Sequence, residues 1–138
     1  MKIELTRSYG FPAAHILRHA RFSEAENLRV YGKCANPSGH GHDYGIEVTV
    51  SGPLDERSGR IVAPEQLDAL VEDHVVQRFG HKLLNEDPLF ERCVPTAENV
   101  ARVVHGILEA PLAQVYGLQL VRVRVIETPR NSFEYGAS

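Results

Sequence analysis

The chain has 138 residues, 43% of them hydrophobic and 24% charged, with a formal net charge of −3. That is the composition of one ordinary globular domain spanning residues 1–138, without the basic surplus that nucleic acid or an anionic membrane surface requires. No run approaches the roughly 18 consecutive apolar residues of a membrane helix, and two cysteines are too few for a disulfide scaffold. The opening Met1-Lys2-Ile3-Glu4-Leu5 has an acidic residue where an export leader needs an apolar run, so a cytoplasmic protein with reduced thiols is expected. Lys2 to Ser8 alternates and predicts a strand with one buried face. Arg18 to Gly41 shows no periodicity and holds the turn signal Asn36-Pro37-Ser38-Gly39, so it reads as a long loop. Tyr44 to Ser51 alternates again, with Ile46, Val48 and Val50 on one face, and Gly52-Pro53 ends it. Pro64 opens a helix that runs to about Phe79. A second helix follows Thr96, with Val100, Val103, Val104, Ile107 and Leu108 at helical spacing. Leu118 to Glu127 predicts a third strand and Ser132 to Tyr135 a short fourth. The expected fold class is α+β: strand-strand-helix-helix-strand-strand, an antiparallel sheet with helices on one face. Such a sheet leaves two open edges, which an oligomer sharing the sheet would close.

Seven histidines stand against one methionine and no tryptophan, and their placement points to a metal. Residues i and i+2 of an extended chain project to one face, so the imidazoles of His40-Gly41-His42 converge, and Gly41 keeps bulk from between them. His15 closes Phe11-Pro12-Ala13-Ala14-His15. If the first two strands pair antiparallel, the end of one lies beside the start of the other, and His15 joins His40 and His42. Three neutral imidazoles with an open fourth position match a catalytic zinc site. Cys34, six residues before His40, is close enough to overlook it. An H-x-H pair alone is more often a pair of surface or core histidines; His15 and Cys34 together favour the metal. His74 reads as a satisfied core histidine, His19 and His105 as solvated positions, and Cys93 as a small buried apolar side chain.

Several strings then fall in one order: Phe11-Pro12-Ala13-Ala14-His15, Glu26-Asn27-Leu28, Gly32-Lys33-Cys34, and Pro37 through Gly39-His40-Gly41-His42-Asp43-Tyr44. His81-Lys82-Leu83-Leu84-Asn85, Pro95-Thr96-Ala97-Glu98-Asn99 and Glu127-Thr128-Pro129 follow. Together they resemble the 6-pyruvoyl-tetrahydropterin synthase family, which includes the 6-carboxy-tetrahydropterin synthases of queuosine biosynthesis. The resemblance covers nearly the whole chain. It implies the tunnelling fold, whose monomers close into a trimeric barrel, with two trimers stacked as a homo-hexamer. It implies zinc on His15, His40 and His42, a catalytic cysteine at Cys34, and the histidine of an Asp-His pair at His81. At Glu127 it implies the carboxylate that anchors a small-molecule pterin substrate, with Glu98 helping to line that pocket. Thr96 is placed there too and reads as a helix N-cap in either case; alone, Glu127 reads as a charged strand end.

The implied reaction, a step of tetrahydrobiopterin biosynthesis, takes 7,8-dihydroneopterin triphosphate, eliminates triphosphate and rearranges the side chain to 6-pyruvoyl-tetrahydropterin. Zinc would acidify C–H bonds beside the substrate's side-chain oxygens, and a thiolate near a dication can serve as base. Imidazole shuttles protons, and a carboxylate accepts two parallel hydrogen bonds from a pterin. Five residues separate Cys34 from His40, as in the pyruvoyl-forming enzymes; the carboxy-forming ones usually have three. One departure stands out. Gly80 occupies the place of the aspartate before His81, and without that carboxylate the imidazole tautomer is not fixed. The favoured reading is the zinc lyase. The alternatives are 6-carboxy-tetrahydropterin synthase, or a pterin-binding homologue whose activity is altered or lost through Gly80. If the relay has merely drifted, Gly80→Asp should raise turnover.

Overall fold

Two long strands dominate: β1 (Ile3–His15) and β2 (His40–Gly52) pair antiparallel from Ile3↔Gly52 to His15↔His40, in a computed structural model that describes residues 2–137. Alternation decides what each face meets. Phe11, Ala13 and His15 of β1, and Tyr44, Ile46, Val48 and Val50 of β2, are buried on one face. Thr6 and Ser8, on the other, are exposed. Two further strands, β4 (Gln119–Thr128) and β5 (Asn131–Gly136), extend the sheet, and a two-residue strand, β3 (Lys82–Leu83), adds a parallel edge. The order is β3-β1-β2-β4-β5.

The helices are α1 (Glu24–Tyr31), α2 (Pro64–Val71), α3 (Gln77–Phe79) and α4 (Ala97–Tyr116). A π-helical turn, Glu72–Val76, joins α2 to α3. Leu67 and Val71 of α2, and Val100, Val104 and Leu108 of α4, share one core with the buried face of the sheet. The opposite face carries polar pairs, such as Thr6 Oγ1 with Thr49 Oγ1 at 2.7 Å and Arg122 with Glu4 at 3.2 Å.

The expected element order omits α1 and β3. Helix α1 is capped by the Ser23 hydroxyl, which accepts from Glu26 N at 3.1 Å, yet its Leu28 and Val30 are exposed and only Asn27 is buried. A helix held by an amide in place of an apolar stripe has no periodicity to read. Strand β3 is too short for a period-2 signal. The ends of β1 and β2 run further toward His15 and His40 than alternation shows, because Pro12, Ala14 and Gly41 interrupt the pattern. Helix α4 continues past Leu108 through Pro111 to Tyr116, and burial of Leu112 offsets the proline's missing N–H. Strand β1 meets β3 only at Ala13 and Ala14, so its remaining length and β5 are the open edges expected. Among the described residues, no helix is long and apolar enough to cross a membrane.

Arg78 of α3 donates twice to Asp87, at 2.9 Å each, and Asp87 accepts from Leu89 N at 3.0 Å, which ties down the segment after β3. The Arg78 bond chiefly holds the Asp87 carboxyl below its usual range. A depressed carboxyl contributes stability above its unfolded pKa and loses it as pH falls through the folded value. Asp87→Asn is therefore expected to cost about 1 kcal/mol at neutral pH, the pair being partly solvated, with the gap to the parent closing in acid. Urea unfolding of both proteins across that pH range measures it.

Candidate metal centre

The β1–β2 register sets His15 opposite His40 and Ala13 opposite His42, on the buried face of the sheet. The ring centroids of His40 and His42 are 4.6 Å apart, those of His15 and His42 4.7 Å, and those of His15 and His40 6.5 Å. His15 is fully buried. Its Nδ1 lies 2.9 Å from Pro95 O and 2.9 Å from Tyr44 Oη. A carbonyl only accepts, so Nδ1 carries the proton and shares it between the two oxygens, leaving Nε2 bare. That Nε2 faces His42 Nε2 at 3.1 Å. Two ligands about 2.05 Å from a tetrahedral zinc stand roughly 3.3 Å apart, so the pair fits the ion. Burial, reinforced by His42 and His40, pushes the His15 pKa down to about 4 against the pull of the Pro95 carbonyl. His42 is lowered too, by burial first and then by His40, with Glu127 opposing. Neutral imidazoles are what a metal binds.

Cys34 arrives on a single 3-10 turn, Gly32–Ala35, entered through Gly32 at φ 57. Its carbonyl accepts from Leu17 N at 2.6 Å. The ligand atoms of His15, Cys34 and His42 all lie within 4.8 Å of one another, while His40 stands beside them against His42. Burial raises the Cys34 thiol pKa, and Glu127 adds to the effect.

Glu127 reaches this end of the sheet through a bulge. The β4–β5 register runs Ile126↔Ser132 and then Thr128↔Asn131, skipping Glu127. A bulge re-aims the extra side chain, and the Glu127 charge acts on Cys34, His42 and Tyr44 alike. The Thr96 hydroxyl accepts from Asn99 N at 3.2 Å as the N-cap of α4, one residue from the carbonyl that holds His15. Glu98 is exposed in the first turn of α4.

His81 is elsewhere in the chain. It lines a groove of about 470 Å³ with Pro12, Ala14, Gly41, His42, Asp43 and Leu83, at the β3 edge. Among the described residues no hydrogen bond or ring contact joins it to Cys34 or to the three histidines, although His42 borders the same groove. Its φ of 61° is the one positive value outside glycine among the described residues, and its N–H donates to Pro12 O at 2.6 Å. Strain of that kind, about 1–3 kcal/mol, is characteristic of functional positions.

The family model of 6-pyruvoyl tetrahydropterin synthase matches residues 4–138. The chain belongs to that family. It is 38% identical over 132 residues to the 6-pyruvoyl tetrahydrobiopterin synthase of Drosophila melanogaster, covering 95% of this chain and 77% of that one. The solved 6-pyruvoyl tetrahydropterin synthase of Caenorhabditis elegans superposes with a TM-score of 0.89 at 33% identity, covering 100% of this chain and 97% of that one. A putative 6-carboxy-5,6,7,8-tetrahydropterin synthase of Archaeoglobus fulgidus is 35% identical over a shorter 107 residues, 77% of this chain and 81% of its own. As a member of the 6-pyruvoyl tetrahydropterin synthase family, the chain is an enzyme of the lyase class.

In this synthase-family chain two groups escaped the sequence reading. Tyr44, fully buried two residues after His42, shares its face and could have been found by extending the i, i+2 argument one step. The Pro95 carbonyl has no side-chain signal at all. His74 is exposed rather than a core histidine, although its Nδ1 donates to Leu70 O at 2.9 Å. His105 is half-buried edge-on to Tyr135, not solvated, and Cys93 is only partly buried at the margin of the core.

Proposed function

We propose that the protein converts 7,8-dihydroneopterin triphosphate to 6-pyruvoyl-tetrahydropterin with release of triphosphate, in the cytoplasm, using zinc held by His15, His40 and His42. The observation that carries the reading is the convergence of neutral imidazoles, a thiol and the Glu127 carboxylate at one end of the sheet. Bound zinc would supply Lewis acidity beside the substrate's side-chain oxygens. Glu127 anchors the pterin by accepting two parallel hydrogen bonds from its amino group and ring N–H, with Thr96 and Glu98 at the margin of the pocket. Cys34 takes a proton from the substrate side chain. Its thiol is held protonated by burial and by Glu127 in the bare chain, and a nearby dication reverses that bias. His81 moves the second proton. No hydrogen bond joins it to Cys34 within one chain, and the open edges of β1 and β5 support a shared-sheet trimer and a hexamer of stacked trimers in which a second copy presents it.

The test incubates the zinc-loaded protein with 7,8-dihydroneopterin triphosphate and measures triphosphate and acetaldehyde. Triphosphate without acetaldehyde is expected. Both together would assign the 6-carboxy reaction instead. The absence of both products would overturn the lyase and leave the pterin-binding homologue with altered chemistry, which Gly80 alone favours.

A further inference from the structure

Asn85 does something that neither the metal nor the pterin reading uses. Its Oδ1 accepts from Ile16 N at 2.7 Å, and its Nδ2 donates to Ile16 O at 2.8 Å. The β1–β3 ladder has only two rungs, Ala13↔Lys82 and Ala14↔Leu83. The Asn85 amide thus replaces a third, on the residue that follows His15. The next residue, buried Leu17, donates its N–H to Cys34 O at 2.6 Å. One short stretch of backbone, Ile16-Leu17, is thereby held by Asn85 on one side and holds the thiol-bearing turn on the other. No other side chain among the described residues bonds to the Ile16 backbone, so without the amide both its polar groups turn to water and the exit of β1 is free to move.

We propose that Asn85 is a positioning residue for Cys34, fixing the thiol against His15 and His42 through the Ile16-Leu17 backbone. The consequence for turnover rests on the lyase reading; the consequence for the thiol does not. Displacing a reacting group by about 1 Å can cost on the order of 100-fold in rate, and loss of outer-sphere partners typically costs 10- to 100-fold. Asn85 is itself exposed, so replacing it leaves no cavity in the core. Asn85→Ala removes both bonds. Asn85→Asp keeps the acceptor for Ile16 N and leaves Ile16 O without its donor.

The experiment alkylates each folded, metal-free protein with iodoacetamide and follows Cys34 and Cys93 separately by peptide mass spectrometry; kcat and KM are measured on the zinc-loaded forms. Cys34 is expected to change its alkylation rate severalfold in Asn85→Ala while Cys93 does not, with Asn85→Asp in between. Turnover should fall about 10- to 100-fold with little change in KM. An unchanged Cys34 rate in a folded variant would overturn the proposal. So would both cysteines speeding up together, which marks general loosening, or failure of both variants to fold, which makes the amide a requirement of the fold alone. Because alkylation needs no substrate, a protein inactive as a lyase still answers the positioning question.

Discussion

His42→Ala is expected to abolish stoichiometric zinc binding and to reduce turnover more than about 100-fold while leaving the protein folded. The reason lies in where the ring stands. His15 is fully buried and bonded on both sides, so its removal would combine a core defect with loss of a ligand. His42 is half-buried, and its Nε2 faces the bare Nε2 of His15 at 3.1 Å, a spacing suited to two ligands of one ion. Metal analysis after exhaustive dialysis, with a thermal melt as control, reads the outcome; full zinc occupancy in a folded variant would show that the pair is not a ligand set. Cys34→Ala and His40→Ala sharpen the result, because the Cys34 sulfur lies within ligand reach of His15 and His42, with the His40 ring beside them. If the thiol serves as the base and His40 as the third ligand, Cys34→Ala keeps zinc and loses turnover, whereas His40→Ala loses both. The reverse pattern would make Cys34 a ligand.

How far this site was legible before the structure follows from which signals a linear pattern can carry. The long antiparallel pair, the two main helices and the meeting of His15 with His40 and His42 all follow from alternation and from the geometry of a strand end. Three features do not. Helix α1 is pinned by a buried amide, Asn27, which accepts from His19 N and leaves no apolar stripe in the sequence. The orientation of Glu127 depends on a bulge, and a one-residue skip in register leaves no compositional mark. The tautomer of His15 is set by a main-chain carbonyl eighty residues away in sequence. In each case the decisive partner is backbone or a single polar side chain, where periodicity gives no information.

Gly80→Asp, which looks like the repair of a missing carboxylate when read from the sequence, is expected to damage the protein instead. The backbone at Gly80 has φ −61° and ψ 133°, values any residue adopts, so conformational strain is not the obstacle. The obstacle is space. Gly80 N donates to Val76 O at 2.8 Å, and a Cβ at position 80 would lie 2.7 Å from that same oxygen, with Phe11 Cβ at 3.7 Å behind it. Val76 ends the π-helical turn, so its carbonyl is fixed by the helix, and relief has to come from residues 80 and 81. His81 has little freedom to yield, being held at φ 61° with its N–H on Pro12 O. Replacing a glycine at a compatible φ and ψ ordinarily stabilises by about 0.4–1 kcal/mol through the unfolded chain, whereas overpacking against fixed backbone costs about 1–3 kcal/mol, so the clash decides the sign. Gly80→Ala isolates that steric term, and it should lower the melting temperature about as much as Gly80→Asp does. Both variants are also expected to turn over more slowly than the parent, because the shift passes directly to the histidine. Higher turnover in Gly80→Asp with an unchanged melting temperature would show instead that the backbone accommodates the side chain and that the missing carboxylate was the only defect.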